Sequence, residues 1–247
     1  MKSAPNEQVV AGRIAREAVQ LGIALSRTMI DGVRLDKEIE AFIRDEGGTP
    51  ALKGYHPKFS QKPYEHTICL AINEGVVHGP PIKLVGPSQL VTIDLVVEYK
   101  GWHADTARTF THSDDPRLQQ FVAASKLIHE MGLEAVAPHQ PMNMFGLMIE
   151  NAASTQGYGV VQEYCGHGIG KDIHMSPQIL SYYSPKADPF ESGKAYAIEP
   201  VLAIESAYKL IHENDGWTVT ANCLASHNED TIFVGDSGIT NLTGEEV

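Results

Sequence analysis

A β-hairpin predicted between residues 90 and 110 constrains the fold of this chain more than any other stretch. Leu90 to Tyr99 and Trp102 to Phe110 are rich in β-branched and aromatic residues, and Lys100-Gly101 supplies a two-residue turn between them. A turn of this length makes the two strands antiparallel and determines which residues face each other. The chain is therefore predicted to contain antiparallel sheet with a defined register at this point.

Two aspartates occupy one face of this hairpin. The register places Val96 opposite Asp105, so Asp94 is the diagonal neighbour of Asp105. Both acids lie beside apolar residues, where a carboxylate without a partner is costly to bury. Two such charges repel each other, and a divalent cation between them converts the repulsion into attraction. The pair therefore predicts a metal site rather than two solvated surface residues.

Three further donors have the same character. Glu199 lies in the run YAIEPVLAI and Glu229 in NEDTIFV, and both runs are typical of strands. His167 lies between two glycines, which let the backbone approach a ligand and leave the imidazole unobstructed. Neutral imidazole and carboxylates together suit Zn, Fe, Co or Mn. The predicted donors, which suggest two divalent metals in a hydrolase, are Asp94, Asp105, His167, Glu199 and Glu229.

Helical periodicity alternates with the predicted strands. We expect helices at Val9 to Met29, Asp36 to Arg44, Pro116 to Ala135 and Met142 to Gln156, with Asp36 as an N-cap. Helices and strands interleave without long blocks of either, which indicates an α/β or α+β fold. The chain has 247 residues, enough for a full core, and no linker-like run of Pro, Gly or Ser. We therefore expect one catalytic domain spanning residues 1–247.

Charge and cysteine content argue against several classes of function. The chain has 31 Asp and Glu against 19 Lys and Arg, and this acidic balance argues against nucleic-acid binding. Cys69, Cys165 and Cys223 are an odd, widely spaced set, which favours a reducing compartment over a disulfide scaffold. The start MKSAPNEQ has no apolar signal-peptide core, and no stretch approaches a membrane span. We therefore expect a cytoplasmic protein.

Seven short strings around the donors follow one another in a specific order. They are INEGVVHG at 72–79, VTIDLVV at 91–97, HADTARTF at 103–110, EYCGHGIG at 163–170, AIEP at 197–200, DGWT at 215–218 and NEDTIFV at 228–234. This ordered set resembles type I methionine aminopeptidases over most of the chain. The resemblance implies a pita-bread fold, in which two pseudo-symmetric α/β halves with outer helices hold a dinuclear metal centre on antiparallel strands. It also implies removal of the N-terminal methionine from nascent proteins and peptides.

The resemblance assigns a role to each donor. Asp94 matches a ligand of one metal, and His167 and Glu199 match ligands of the other. Asp105 and Glu229 match carboxylates that bridge both metals. The two divalent ions, Co, Mn, Fe or Zn, would activate a shared water and polarise the peptide carbonyl.

Three residues are implied to act in catalysis. Glu199 would carry the proton of the water towards the leaving amine. His78 matches a histidine that contacts the substrate near the scissile amide, and His174 matches one that binds the scissile carbonyl oxygen. The substrate itself would be the N-terminal peptide of a nascent polypeptide. The ribosome is a candidate partner, and a monomer is expected.

The implied pocket for the methionine side chain departs from the family pattern in places. Its residues, with the two histidines that contact the substrate, are Tyr55, Cys69, His78, His174 and Trp217, and Ile173 stands where the family often has an aromatic. The stretch between Tyr55 and Cys69 is longer than in the common bacterial enzymes, so Tyr64 has no certain counterpart. Asp230 follows Glu229 where the family commonly has His, which adds a negative charge next to the site.

Three alternatives stay open. An Xaa-Pro aminopeptidase or prolidase shares the fold and ligand set but usually carries a further N-terminal domain. A type II methionine aminopeptidase would have a helical insert between Glu199 and Glu229, for which this chain has too few residues. A non-catalytic binding protein on the same fold would be marked by loss of ligands, and all five are present here.

Overall fold

The computed structural model of the protein describes residues 2–58, 60 and 62–244. Their helices are α1 (Asn6–Leu25), α2 (Gly32–Asp45), α3 (Pro116–Glu134) and α4 (Met142–Thr155). Their strands are β1 (Ile30–Asp31), β2 (Thr49–Pro50), β3 (Cys69–Ile72), β4 (Gly75–Val77), β5 (Leu84–Val85), β6 (Leu90–Tyr99), β7 (Trp102–Thr111), β8 (Gly159–Val160), β9 (Gly166–Ile169), β10 (Met175–Ile179), β11 (Lys194–Ile198), β12 (Val201–Ala203), β13 (Leu210–His212), β14 (Val219–Ala221), β15 (Ala225–His227), β16 (Glu229–Val234) and β17 (Ile239–Asn241). Phe59 and Gln61, in the longer stretch after Tyr55, lie outside the described residues, as do residues 1 and 245–247 of the predicted domain.

One large antiparallel sheet organises the fold. Its strand order is β10-β9-β11-β16-β7-β6-β2, with β17 also paired to β16 and β3 to β6. Two three-stranded sheets, β15-β12-β8 and β13-β14-β4, and the pair β1-β5 accompany it. At the middle of the large sheet, β7 and β16 meet over two residue pairs, Ala107 with Glu229 and Thr106 with Asp230.

The predicted hairpin is confirmed. β6 and β7 pair along their whole length, with Val96 opposite Asp105 and Tyr99 opposite Trp102. The turn residues Lys100 and Gly101 have φ of 48° and 78°, the left-handed conformation that two-residue hairpin turns favour. Glycine tolerates this conformation because it has no Cβ.

The helices pack on one face of the large sheet in two groups. α1 and α2 contact β6 and β7 through a buried cluster that includes Ile39 and Ile93. α3 and α4 pack with β11 and β16 through a second cluster that includes Phe145 and Tyr196. Side chains alternate between the two faces of a strand, so Ile93 faces the helices and Asp94 the opposite side. The two clusters correspond to the two halves that the resemblance implies.

The helix predictions are confirmed except for details at the ends. The first helix begins and ends earlier than expected, at Asn6 and Leu25. The prediction that Asp36 is an N-cap is wrong, because Asp31 caps α2 and accepts a 2.8 Å hydrogen bond from the Val33 N–H. Asp36 lies inside the helix and accepts backbone N–H groups from a distant loop, at Thr67 and Ile68. Among the described helices, none has the length and apolar character needed to cross a membrane.

Candidate metal centre

Three of the predicted donors lie in adjacent strands of the large sheet. Ala107 on β7 is paired with Asp94 on β6 and, on its other side, with Glu229 on β16. Asp105, two residues before Ala107, points to the same face. The small side chain of Ala107 lies between the carboxylates on either side of it. The register of three strands therefore gathers three acids around one alanine.

The remaining donors join this face from the other half of the sheet. Ala197 on β11 is paired with His167 on β9 and with Thr231 on β16. The Thr231 hydroxyl in turn accepts the Asp105 N–H at 2.8 Å and donates to the Asp105 carbonyl at 2.9 Å. Glu199 follows Ala197 by two residues, just after the strand ends, so it projects to the same side.

The donor atoms are close enough to share an ion. Nε2 of His167 lies 3.4 Å from a Glu199 oxygen and 3.9 Å from an Asp105 oxygen. Two atoms that bind one divalent ion at about 2.1 Å lie no more than about 4.2 Å apart. Nδ1 of His167 is 3.0 Å from the Gly168 carbonyl oxygen, and a proton on Nδ1 leaves the Nε2 lone pair facing the carboxylates. Asp105, His167 and Glu229 form a compact group that could hold a metal ion.

The carboxylates of the cluster are buried close together, which favours binding of a positive charge between them. Burial, with the neighbouring carboxylates, raises the pKa of Asp105 and Glu229 well above their usual values. Burial also raises the pKa of Asp94 to about 6 and that of Glu199 to about 7. Among the described residues, Oδ1 of Asp105 and Oε1 of Glu229 are buried without a hydrogen-bond partner. Carboxylate oxygens with no partner beside a neutral imidazole are the donor set that a divalent cation satisfies.

The predicted substrate residues lie around the same site. One cavity of about 570 Å³ is lined by all five donors and by Tyr55, Cys69, His78, His174 and Trp217. Ile173 packs in one apolar cluster with the lining residues Leu52 and Cys69 but is not itself among the side chains that line the cavity. Residues named for separate reasons, far apart in the chain, therefore share one cleft of the size that small ligands occupy.

Comparison with known proteins agrees with this geometry. The model of metallopeptidase family M24 matches residues 9–236. The chain belongs to this family. Methionine aminopeptidase 1 of Bacillus subtilis is 32% identical over 85% of this chain and 84% of its own. The crystal structure of methionine aminopeptidase from Thermotoga maritima superposes with a TM-score of 0.91 at 24% identity, covering 99% of both chains.

The structural comparison also confirms the pita-bread fold expected for this M24 metallopeptidase. Prolidase from Pyrococcus furiosus has the same fold, with a TM-score of 0.74 and 20% identity, and the match covers all of this chain but 66% of the prolidase. Family membership makes the protein a peptidase that depends on divalent metal. The buried carboxylate oxygens without hydrogen-bond partners, described above, fit that requirement.

Tyr64 belongs to the cavity of the M24 metallopeptidase, although the sequence left its position open. The ring is buried and packs edge-on against Trp217, with the ring centroids 5.0 Å apart. Its hydroxyl donates to the Ile68 carbonyl at 2.8 Å. The longer stretch after Tyr55 therefore still delivers a second tyrosine to the pocket. No local pattern marks this, because the contact with Trp217 joins distant parts of the chain.

Asp230 does not place its charge beside the metal site, contrary to the expectation from sequence. Side chains alternate along β16, so Asp230 points away from Glu229 and into the helix-covered face. Its carboxylate lies 2.6 Å from Nη2 of Arg108 and 2.9 Å from Nε2 of His129. Although burial opposes it, Arg108 and then His129 hold the pKa of Asp230 well below its usual value. The added charge is therefore neutralised on the far side of the sheet.

The glycines beside His167 also serve a purpose that was not predicted. A Cβ at Gly166 would collide with the Ala197 carbonyl oxygen, and one at Gly168 with that of Ser176. These oxygens belong to the adjoining strands, β11 and β10. Glycine is thus required so that three strands can pack closely around His167.

Sequence reasoning missed several residues of the cavity. His227 is buried and lies two positions before Glu229, so strand alternation from Glu229 could have pointed to it. Leu52 and Tyr164 also line the cavity and had no motif to mark them. Their positions follow from the packing of loops against the sheet, which local patterns do not encode.

Proposed function

We propose that this M24 metallopeptidase is a methionine aminopeptidase, which removes the N-terminal methionine from nascent proteins and peptides by hydrolysis at a pair of divalent metals. One observation carries the proposal. The five donors and the residues implied to hold methionine line a single cavity, although they come from both halves of the sheet. The identity with Bacillus subtilis methionine aminopeptidase 1 over most of both chains supports the same activity. Residues 1–247 would form a single catalytic domain.

The proposed ligand assignment follows the layout of the sheet. Asp94 would bind one ion, and His167 with Glu199 the other, since Asp94 and His167 stand on opposite sides of the central strands. Asp105 and Glu229, from β7 and β16 between them, would bridge both ions. Carboxylates and imidazole suit Co, Mn, Fe or Zn, so the donor set alone does not select among these metals.

The cavity residues would carry out the hydrolysis as follows. When bound, the ions lower the pKa of a water and polarise the scissile carbonyl. Glu199 would accept the proton of the attacking water and deliver it to the leaving amine. His174 lies at the exposed mouth of the cavity, where it would donate a hydrogen bond to the carbonyl oxygen. His78 would contact the peptide near the scissile amide.

The methionine side chain would occupy the apolar part of the cavity. Tyr55, Cys69 and Trp217 meet there with Leu52 and Tyr64 in one hydrophobic cluster. Such a pocket binds an unbranched thioether by contact and excludes water from it. Selectivity for methionine over other apolar residues would be modest, because an apolar pocket discriminates mainly by the size of the side chain.

A proline-specific peptidase is the second candidate, because a prolidase has the same fold. The Pyrococcus furiosus prolidase is longer than the part matched here, and its fold similarity is lower than that of the Thermotoga maritima enzyme. We also propose the nascent polypeptide as partner, with the ribosome as the place of encounter, and a monomer acting in the cytoplasm, where nascent chains emerge.

The proposal is tested by peptide hydrolysis. Protein loaded with Mn, Fe or Co is expected to release Met from Met-Ala-Ser, and Asp94→Ala and His167→Ala to abolish release. Asp114→Ala and His56→Ala, at exposed positions outside the cavity, are the matched controls and should retain activity. Turnover of Xaa-Pro peptides alone, with two metals bound, would replace the methionine assignment by the proline-specific one. Absence of metal binding after anaerobic reconstitution would favour a non-catalytic binding protein.

A further inference from the structure

His227 is a buried imidazole in the cavity to which the preceding roles assign nothing. It ends β15 and lies beside two proposed metal ligands. Its Nε2 is 3.6 Å from Oε2 of Glu199 and 3.7 Å from Oε2 of Glu229. Neither of its ring nitrogens has a hydrogen-bond partner within the part of the chain that the structure describes. A fully buried imidazole aimed at two carboxylates needs a chemical reason.

Two roles are possible for an imidazole in this position, and they require opposite tautomers. A metal ligand presents the Nε2 lone pair to the ion and carries its proton on Nδ1, where it normally donates to a carbonyl or carboxylate. A hydrogen-bond donor carries its proton on Nε2 instead. The surroundings of Nδ1 therefore distinguish the two roles.

His167 and His227 differ at this atom. Nδ1 of His167 has the Gly168 carbonyl oxygen at 3.0 Å, the arrangement of a ligand. Nδ1 of His227 is buried and has no acceptor among the described residues, so a proton there would be left unsatisfied. With the proton on Nε2, the N–H faces two carboxylates, which are pure acceptors when ionised. The geometry thus separates a ligand histidine from a donor histidine in one cavity.

We infer that His227 is a positioning residue whose Nε2–H group is directed at Glu199 and Glu229 and holds the Glu199 carboxylate in place. Glu199 then lies between two imidazoles, with Oε1 3.4 Å from His167 and Oε2 3.6 Å from His227. This arrangement resists rotation of the carboxylate that is proposed both to bind metal and to carry the proton. The role of His227 in turnover rests on the proposed function, whereas its effect on metal binding does not.

The test compares His227→Gln, which keeps an N–H donor, with His227→Leu, which keeps bulk and loses the donor. We expect His227→Leu to lose about 10–100-fold in metal affinity or kcat, as other groups that orient metal ligands do. His227→Gln should stay within about threefold of wild type, because its amide replaces the donor. Calorimetric titration with Mn or Co, kcat and KM for Met-Ala-Ser, and thermal unfolding are measured for each variant.

A second measurement reads the tautomer of His227 and the number of imidazole ligands directly. Nitrogen NMR of the Zn-loaded protein should find the proton of His227 on Nε2, and pulsed EPR of the Mn-loaded protein should count one imidazole ligand in wild type and in His227→Gln. A second imidazole coupling that disappears in His227→Gln would overturn the inference by making His227 a ligand. Wild-type affinity and kcat in His227→Leu, or equal losses in both variants, would also overturn it.

The metal titration separates this inference from the proposed function. If the protein binds metal but does not release methionine, the proposed function fails, and the affinities of the two variants still decide the role of His227.

Discussion

The hydroxyl of Tyr55 lies 2.7 Å from Nδ1 of His174, a hydrogen bond between a pocket residue and a proposed catalytic one. The two rings also touch, with centroids 5.3 Å apart. When the phenol donates, Nδ1 is the acceptor and the imidazole keeps its proton on Nε2. That tautomer is the one that can donate to the carbonyl oxygen of a substrate. Tyr55 therefore contributes a hydrogen bond to His174 as well as apolar surface to the pocket.

Tyr55→Phe is expected to lower kcat for Met-Ala-Ser by about fivefold, since one hydrogen bond contributes about 1 kcal/mol. KM should change little, because the ring that is proposed to contact the methionine side chain remains. The same substitution in a His174→Ala background should have no further effect on kcat. Additive losses in that double-mutant cycle would show that Tyr55 acts independently of His174.

Ala107→Val is expected to weaken metal binding by tenfold or more, because the added methyl groups enter the space between Asp94 and Glu229. Ala104→Val is the matched control, since Ala104 is equally buried on the same strand but packs in the helix-covered core. Both variants should lose about 1–3 kcal/mol of stability from overpacking. Calorimetry with Mn should then find weaker binding for Ala107→Val alone, and equal affinities would contradict the role given to the small side chain of Ala107.

Between pH 6.5 and 8, the stability of the metal-free protein should fall as pH rises. The folded-state pKa of Glu199 is raised to about 7, and burial raises those of Asp105 and Glu229 well above their usual values. Groups with raised pKa keep their protons in the folded state after the unfolded chain has lost them, so stability is lost as pH rises through the folded value. The buried histidines, whose pKa is lowered by burial, act in the opposite direction while the unfolded imidazole still binds protons, and this opposing effect fades as pH rises above about 6.5.

Urea unfolding at several pH values measures this slope. Glu229→Gln, which removes one of the buried charges, should reduce the slope and make the metal-free protein more stable at pH 8. Metal should stabilise wild type by about 2.7 kcal/mol at one hundred times Kd, and should stabilise Glu229→Gln much less. A flat profile for metal-free wild type would show that the carboxylates are solvated well enough to ionise freely.

Asp230→Asn is expected to destabilise the protein by about 3 kcal/mol and to leave metal affinity unchanged. The substitution leaves Arg108 without its buried partner, which is the costly way to break an ion pair. The double variant Arg108→Met with Asp230→Leu should be more stable than Asp230→Asn, since both charges are removed together. Thermal unfolding and Mn titration check both parts, and a clear change in metal affinity would mean that Asp230 reaches the site through the sheet.

The sequence predicted the parts of the fold that depend on neighbours in the chain. The β6–β7 hairpin and its register follow from alternation and a two-residue turn, so Asp94 and Asp105 were placed correctly on one face. The start of α2 was misassigned, because Asp36 looks like a cap locally and in fact accepts N–H groups about thirty residues away.

The identity of the donor residues was predictable from the sequence, whereas their arrangement and surroundings were predictable only in part. Its residues were recognised from ordered motifs, and the cavity brings them together. The partners of Asp230, Arg108 and His129, are more than one hundred residues away, so the direction of that charge could not follow from its place beside Glu229. Strand alternation from Glu229 could have marked His227 as a residue of the same face, whereas the contact of its ring with Glu199 depends on the fold.

The narrow pairing of β7 with β16 has a mechanical consequence. The strands share two residue pairs, and the proposed ligands lie on both sides of this join, Asp94 and Asp105 on one and His167, Glu199 and Glu229 on the other. A bound ion would therefore clamp the two halves together as a removable crosslink. Removal of the ion by a chelator should then weaken the join between the halves, so metal occupancy and the stability of this join are linked.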